Sequence, residues 1–599
     1  MKKIVLYIKK AYNYFKKYGL KKSVIKIREK LCRLKIYSKI NVNYSDWIKN
    51  NEPNENELKK QSKHKFEYIP KISILIPMYN TNEKFFKELV ESLKNQTYQN
   101  FEVCLADGSE CKNQNLINMI KDDERFVYKF LNSNNGISEN TNEALKLATG
   151  EYIALLDHDD LLPKFSLYEV VKAINENDKP EFIYSDEDIL DSNYVRKNPH
   201  FKPDFSPDTL RSYNYICHFS VLRKDLLDKI GGFRREFDGA QDYDLILRAT
   251  EKAEKIVHIP KILYHWRAHD NSTSQNVDSK SYAFVSGKNA IKSQLDRLNI
   301  EGDVNALEIP GTYKVEYKIK DNPKISIMIP NKDSVQDLSK CINSIFKSTY
   351  NNYEIIIIEN NSSDNSTFEY YESLKENPKI KVVYYDETGF NFSKINNFGR
   401  KAATGEYLLL LNNDVEVINE NWLEEMLGIC QQENVGIVGA KLLYFDKTVQ
   451  HAGVIIGMGG VAGHIHKNID DNNPGYFSRA NIINNFYAVT AACLLVKSSV
   501  YDEVGGLDEE FKVAFNDVDF CMKVREKGYL VVYTPFAKLY HYESKTRGYE
   551  DTPEKQKRFA GEIELFKKKW HRKLQKGDPY FNKNFRLDSS LFVIDIDKK

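Results

Sequence analysis

Cysteine is scarce in this sequence: eight in 599 residues, with no CxxC pair and no regular spacing. That excludes a disulfide framework and a thiolate zinc site, and it points to a reducing, cytoplasmic setting. No run approaches the roughly 18 uncharged apolar residues of a membrane-spanning helix, and the start lacks the apolar stretch and cleavage site of a secretory leader. A large charge excess is missing too, the formal net charge being +2. The balance is uneven: residues 1–40 carry lysines and arginines with Glu29 as their sole acid, so the remainder is mildly acidic. What the chain does contain, 41% hydrophobic and 12% aromatic residues, is enough to fill the cores of several domains.

Its organisation is a duplication. KISILIPMYN from Lys71 returns as KISIMIPNKD from Lys324, and ATGEYIALLDHDD from Ala148 as ATGEYLLLLNNDV from Ala403. IGGFRREF from Ile230 returns as VGGLDEEF from Val504, and LYH from Leu263 returns at Leu539. The order is kept and the period far exceeds that of a solenoid, so each copy is a whole domain. The expected division is a basic amphipathic helical segment over 1–70, a first domain over 71–302, a linker over 303–323, a second domain over 324–580 and a tail over 581–599. Pro310, Gly311, Asn322 and Pro323 mark the linker.

Within each copy, short apolar runs alternate with helically spaced segments. Strands are expected at 72–76, 101–105 and 152–156 with a helix at 85–93, and again at 325–329, 353–358 and 407–411 with a helix at 338–346. This alternation predicts an α/β fold of two tandem Rossmann-like domains with mostly parallel, doubly covered sheets. Ligands bind such sheets at the carboxyl ends of the strands. Asp107, Glu359 and the DHDD of residues 157–160 fall there. Crowded carboxylates repel one another unless a divalent cation neutralises them, and Asp-x-Asp offers hard oxygen ligands to Mg²⁺ or Mn²⁺ with positions left for phosphate oxygens. A diphosphate is the matching partner. The competing explanation is an acidic loop capping the helix that begins near Pro163.

The paired motifs SILIPMYN and SIMIPNKD, LADGS and IIENNSSD, LLDHDD and LLNND, AQDYDL and FNDVDF, LYHWRAH and LYHYES keep one order in both copies. Each half thereby resembles the family 2 glycosyltransferases, of glycosyltransferase A fold. The resemblance implies a tandem enzyme of bacterial surface-polysaccharide synthesis, using nucleotide-sugar donors and an oligosaccharide or lipid-linked glycan acceptor. It implies that Asp107 reads the nucleoside, that Pro77 and Asp157 also bind the donor, that Asp157, Asp159 and His265 hold Mn²⁺ or Mg²⁺, and that Asp242 is the base. In the second half it assigns Pro330, Glu359, Asn360 and Asn413 to the donor, Asp414 and His541 to the metal, and Asp517 to the base. That half departs from the pattern, because NND supplies one carboxylate where DHD supplies two. Asp244 and Asp519, two residues beyond each base, are alternative acids. A helix-dipole contact is the structural alternative for the aspartates, and a buried hydrogen bond for the histidines.

The reaction implied is an inverting in-line displacement in which Asp242 or Asp517 takes the proton of the acceptor hydroxyl and the cation stabilises the leaving nucleotide. Two transferring domains are the leading arrangement; one transferring domain beside a glycan- or nucleotide-binding one is the alternative. A sugar-nucleotide-forming nucleotidyltransferase is disfavoured, for want of a glycine- and basic-rich loop after the first strand. In residues 1–40, Ile4, Ile8, Ala11, Phe15, Leu20, Val24, Ile27, Leu31 and Leu34 recur at helical steps between lysines. That pattern suits an anionic membrane surface, here the inner face of the cell membrane; self-docking or a protein partner is the alternative, and no nucleic acid is expected. GMGGVAGHIH, residues 457–466, has no counterpart in the first half and is expected to be an acceptor-side loop.

Overall fold

The computed structural model describes residues 43–268, 281–542 and 552–597, so the amphipathic pattern of residues 1–40 lies outside the described residues. In the first domain, β1 (Ile72–Met78), β2 (Phe101–Asp107), β3 (Phe126–Phe130), β4 (Tyr152–Leu155), β5 (Phe182–Leu190), β6 (Arg196–His200), β7 (Ser220–Arg223) and β8 (Ile256–Arg267) form one sheet. Its order is β3-β2-β1-β4-β7-β5-β6, with β8 on β5. The first four strands are mutually parallel, β7 runs antiparallel to β4 and β5, and β8 is parallel to β5. In the second domain, Ile380–Tyr384, Tyr353–Glu359, Ile325–Asn331, Tyr407–Leu411, Cys493–Lys497, Val435–Leu443 and Leu530–His541 repeat that order and those directions. The duplication read from sequence is thus a duplication of topology.

The strands outrun the apolar runs that announce them, since β1 continues through Pro77 to Met78 and β2 to Asp107, in register with each other. Helices cover the sheet by burying one stripe: in Glu83–Lys94, Phe86, Leu89, Val90 and Leu93 face inward, and the Asn82 side chain caps the amino end.

The repeated Lys-Ile-Ser and Thr-Gly-Glu-Tyr motifs turn out to be one clamp built twice. In the first domain the Glu102 carboxylate accepts from Ser73 Oγ at 2.6 Å and from the Thr149 amide at 2.6 Å, and pairs with Lys71 at 2.5 Å. In the second, Glu354 accepts from Ser326 Oγ at 2.6 Å and the Thr404 amide at 2.8 Å, and pairs with Lys324 at 2.8 Å. Gly150 and Gly405 are required because a Cβ there would sit 2.6 Å from Lys71 O or 2.7 Å from Lys324 O, against backbone that cannot yield. The clamp sets β1 beside β4, and their carboxyl ends carry the site.

Two of the expected connectors are structured. The 303–323 stretch includes part of a hairpin, Gly302–Ala306 pairing with Tyr313–Tyr317, whose Val304, Tyr313 and Val315 are buried in the first-domain core. The tail is not loose: Phe581, Phe585, Phe592 and Ile594 are buried in a core shared with Tyr44, Trp47 and Phe201. Across the domain boundary, Tyr476 Oη donates to Pro199 O at 2.7 Å and accepts from the Phe201 amide at 2.8 Å. Asn485 Nδ2 donates to Asp208 Oδ2 at 2.7 Å and Asn485 Oδ1 accepts from the Asp208 amide at 2.9 Å. GMGGVAGHIH forms the turn and second strand of a hairpin, Val454–Ile456 against Ala462–His464, whose turn uses the positive φ of Gly457, Gly459 and Gly460. Among the described residues, no helix is long and apolar enough to cross a membrane, and the cysteines are all unpaired.

Candidate active site

The loop after β4 brings its acids to the sheet edge, and the structure groups them differently from the sequence expectation. Asp157, Asp160 and His218 each offer a ligand atom within 4.8 Å of the others, and this is the group of that kind found among the described residues. Asp159 and His265, expected beside Asp157, are not in it. His265 Nδ1 instead lies 2.6 Å from Asp188 Oδ1, in a buried network in which Asp188 also accepts from Arg196 at 2.7 Å and from Tyr44 Oη at 2.5 Å. The backbone of His265 pairs with Leu161, so this histidine fastens the acidic loop to β8.

Asp160 is buried and held by Tyr264 Oη at 2.5 Å and the Arg267 amide at 2.7 Å. Burial, then Asp159, then Asp157 push its carboxyl well above the ordinary range. Burial likewise raises Asp157, partly offset by His218 and reinforced by Asp159 and by Asp242. Acids held above their ordinary range by burial and by one another are ones that a cation relieves. Two carboxylates and one imidazole fit Mn²⁺ or Mg²⁺ in donor chemistry. The His218 ring is held flat against Tyr264, centroids 4.4 Å apart, and edge-on to Trp266.

Asp242 sits in the first turn of helix Gln241–Lys252, where the helix dipole favours negative charge. Asn214 Nδ2 donates to its Oδ2 at 2.9 Å. Asp244 is committed elsewhere: fully buried, it accepts from Arg248 Nε at 2.9 Å and from Arg234. Asp519 is committed too, bound by Trp570 Nε1 at 2.8 Å and Lys569 at 2.7 Å. Asp517, in the first turn of Asn516–Glu526, is held by the Ala491 amide at 3.1 Å.

Asp107 closes β2 with its carboxylate accepting from the Ser109 amide at 2.9 Å and Tyr128 Oη at 2.8 Å. Glu359 accepts from Ser362 Oγ at 2.7 Å and Tyr371 Oη at 2.6 Å. Tyr371 in turn accepts from Asn331, whose Oδ1 accepts from Asn413 Nδ2 at 2.7 Å, linking two of the expected donor positions. Asn360 is buried next to Glu359. Pro77 and Pro330 lie one residue before the strand ends, level with Ala106 and Ile358. In the second domain His541 Nε2 is 3.2 Å from Asp414 Oδ1 and 3.1 Å from Asn412 Nδ2, and its Nδ1 is 2.7 Å from Gln450 Oε1.

His218 escaped sequence reasoning because it stands in one copy only. Arg223 pairs with Tyr152 and Lys497 with Tyr407, and counting back five residues from each puts Ala492 where His218 stands.

A family profile described as Glycosyl transferase family 2 matches residues 73–231 and 326–491, more than half of the chain. Among curated proteins, the chain is 41% identical over 533 residues to the uncharacterized protein y4gI of Sinorhizobium fredii, covering 88% of this chain and 58% of that one. It is 33% identical over 556 residues to O-antigen biosynthesis protein RfbC of Myxococcus xanthus, covering 91% and 43%. It is 26% identical over 382 residues to a chondroitin synthase of Pasteurella multocida, covering 58% and 39%. The chain therefore spans about half the length of the curated relatives it matches.

Proposed function

The chain belongs to glycosyl transferase family 2, and from that premise we propose a two-site inverting glycosyltransferase that moves sugars from nucleotide-sugar donors onto a growing surface polysaccharide. The observation that carries the reading is the convergence, at one sheet edge, of the group formed by Asp157, Asp160 and His218 with Asp242, whose carboxylate is bound by Asn214 of the loop that carries His218. Relatives named for O-antigen and chondroitin synthesis support the polymer class, and a lipid-linked acceptor at the inner membrane face fits the basic amphipathic pattern of residues 1–40.

In this reading Asp157, Asp160 and His218 hold Mn²⁺ or Mg²⁺ in the first domain, with Asp159 alongside, and Asp414 with His541 does so in the second. When bound, the ion supplies electrostatic stabilisation to the departing nucleoside diphosphate. Asp107 and Glu359 are fixed by their own domains' hydroxyls and amides with acceptor capacity to spare, and each takes an N–H of the nucleoside base. Asn214 immobilises one oxygen of Asp242 and leaves the other to accept the proton of the acceptor hydroxyl. The hydroxyl oxygen attacks the anomeric carbon from the face opposite the phosphate, which inverts the configuration. Asp517 does the same in the second domain.

A second reading, one transferring domain beside one that holds glycan, draws on Asn412 and Ala492 replacing a carboxylate and an imidazole in the second domain. Nucleoside diphosphate release from a panel of UDP-, dTDP- and GDP-sugars, with a lipid-linked acceptor extract and Mn²⁺, separates the two when run on the parent, Asp242→Asn and Asp517→Asn. Two donors lost to different substitutions support two sites. A single donor lost to Asp242→Asn alone supports the second reading, and full activity in both variants removes the base assignments.

A further inference from the structure

We propose that the C-terminal tail, which follows the second domain, completes the site of the first: Asn582 is a positioning residue that acts through Lys202 on the loop carrying His218 and Asn214. The proposal rests on the first-domain site described above.

The path is a continuous set of buried and half-buried hydrogen bonds. Asn582 is 5% exposed, and its Nδ2 donates to Lys202 O at 2.9 Å and to Asp186 Oδ2 at 3.0 Å. Asp186 fixes the same residue from the other side by accepting from the Lys202 amide at 2.8 Å. Lys202 is fully buried, and its ammonium donates to Ile216 O at 2.6 Å and to His218 O. Glu187 lies 3.3 Å from that ammonium and accepts from the His218 amide at 3.2 Å. The loop so held presents His218 to Asp157 and Asp160, and Asn214 to Asp242. Within the loop, Asn214 Oδ1 accepts from the Cys217 amide at 3.1 Å, so the two ends move together.

A buried lysine needs compensation for its charge from every side. Glu187 provides the counter-charge and two carbonyls accept from the ammonium, and these carbonyls belong to the loop that bears the metal and base groups. Displacing Lys202 therefore displaces the loop. Asn582 is the contact by which a residue some 400 positions away reaches this arrangement. The tail and the residues leading into it are anchored in turn to the second domain, with Asp578 accepting from the Ile456 amide at 2.8 Å and Phe585 packed edge-on to Tyr476 at 5.1 Å. The second domain is thus linked to the first-domain site through packed rings and buried hydrogen bonds.

The test uses the full-length protein with Asn582→Ala, Lys202→Met and Lys202→Arg, and with Asp157→Asn as the reference for loss of first-domain metal binding. Mn²⁺ alone is titrated with the free ion followed by electron paramagnetic resonance, and transfer is followed on the donor that Asp242→Asn abolishes and on the donor that Asp517→Asn abolishes. Outer-layer partners of metal ligands affect affinity or rate by about 10- to 100-fold. Asn582→Ala and Lys202→Met should weaken the Mn²⁺ binding step lost in Asp157→Asn and lower first-domain kcat by at least the smaller of these factors. Second-domain transfer should be unchanged, and Lys202→Arg should recover part of the loss. If both transfers fall together in proportion to the folded fraction, with Mn²⁺ affinity unchanged, the contact is only structural and the proposal is overturned. Unchanged behaviour of Asn582→Ala also overturns it. Absence of any Mn²⁺ step in the parent, with both transfers intact in Asp242→Asn, instead sinks the underlying site reading and this proposal with it.

Discussion

Asp242 and Asp244 stand two residues apart on one helix, and their surroundings assign them opposite work that two substitutions separate. Asp244 is fully buried against Arg248, which is itself 5% exposed, and against Arg234, whose side chain is 31% exposed. Asp244→Ala removes the carboxylate facing both guanidiniums. Arg248 keeps its bonds to the carbonyls of Ile230, Gly231 and Gly232, which offset part of its stranded charge. Breaking a buried pair from one side costs about 3–5 kcal/mol, and with those carbonyls and the exposure of Arg234 the lower end applies. For a domain of this size each kcal/mol lowers the thermal midpoint by about 2–4 °C, so the expected drop is about 6–12 °C. Asp242→Asn keeps the side-chain shape at a half-buried position and should leave the midpoint within about 2 °C. It should nevertheless reduce first-domain transfer by about 10²- to 10⁴-fold, the usual contribution of a general base. Calorimetry at one scan rate and sugar-nucleotide turnover on the same preparations measure both axes. If Asp244→Ala folds with an unchanged midpoint yet loses transfer, while Asp242→Asn keeps it, the base is Asp244 and the assignment made from geometry is refuted.

Two further outcomes follow from the fold. Gly150→Ala and Gly405→Ala each force a Cβ against first-strand backbone, an overpacking worth about 1–3 kcal/mol; both should lower the calorimetric midpoint, and a variant indistinguishable from the parent would contradict the clamp. Burial lifts the Asp578 carboxyl to about 6, against the amides of Ile456 and Tyr580 and the charges of Arg479 and Arg525 that favour ionisation. Because the folded chain holds this proton more tightly than the unfolded one, the group's contribution to stability is fully present below about pH 4 and is lost as pH rises through about 6. The midpoint of Asp578→Asn relative to the parent should therefore move in the variant's favour between about pH 4 and pH 6, whereas a difference independent of pH would reject the shift.

Much of the fold could be read from sequence because the repeat supplies its own control: two stretches that diverge in detail but keep Ile72 to Ile76 and Ile325 to Ile329 apolar must both be buried strands. The aspartates at strand ends and helix starts were legible for the same reason. What was not legible depends on chain crossings. His265 is adjacent in sequence to nothing acidic, and only the β5–β8 register, which sets it level with Asp188, shows where its ring goes. His218 lies in a loop before β7, a strand that pairs antiparallel between β4 and β5, and no local pattern foretells that insertion. The linker read as polar because its outward residues are, while Val304 and Val315 face the core on the alternate positions of a hairpin. The tail's phenylalanines are spaced without period, so their burial is a property of the surface that receives them.

The joint at Tyr476 has a practical consequence for redesign. One phenol oxygen bridges the carbonyl of Pro199 and the amide of Phe201, and Asn485 grips Asp208 a few residues away. Grafting a relative's first half onto this second half, to change which sugar is added, exchanges only one side of each of those contacts. A chimaera cut within residues 303–323 would inherit a mismatched seam, whereas one that carries the receiving loop, residues 476–485, and residues 578–597 along with the foreign first half would keep donor and seat together. The smallest interchangeable part of this molecule is larger than a domain.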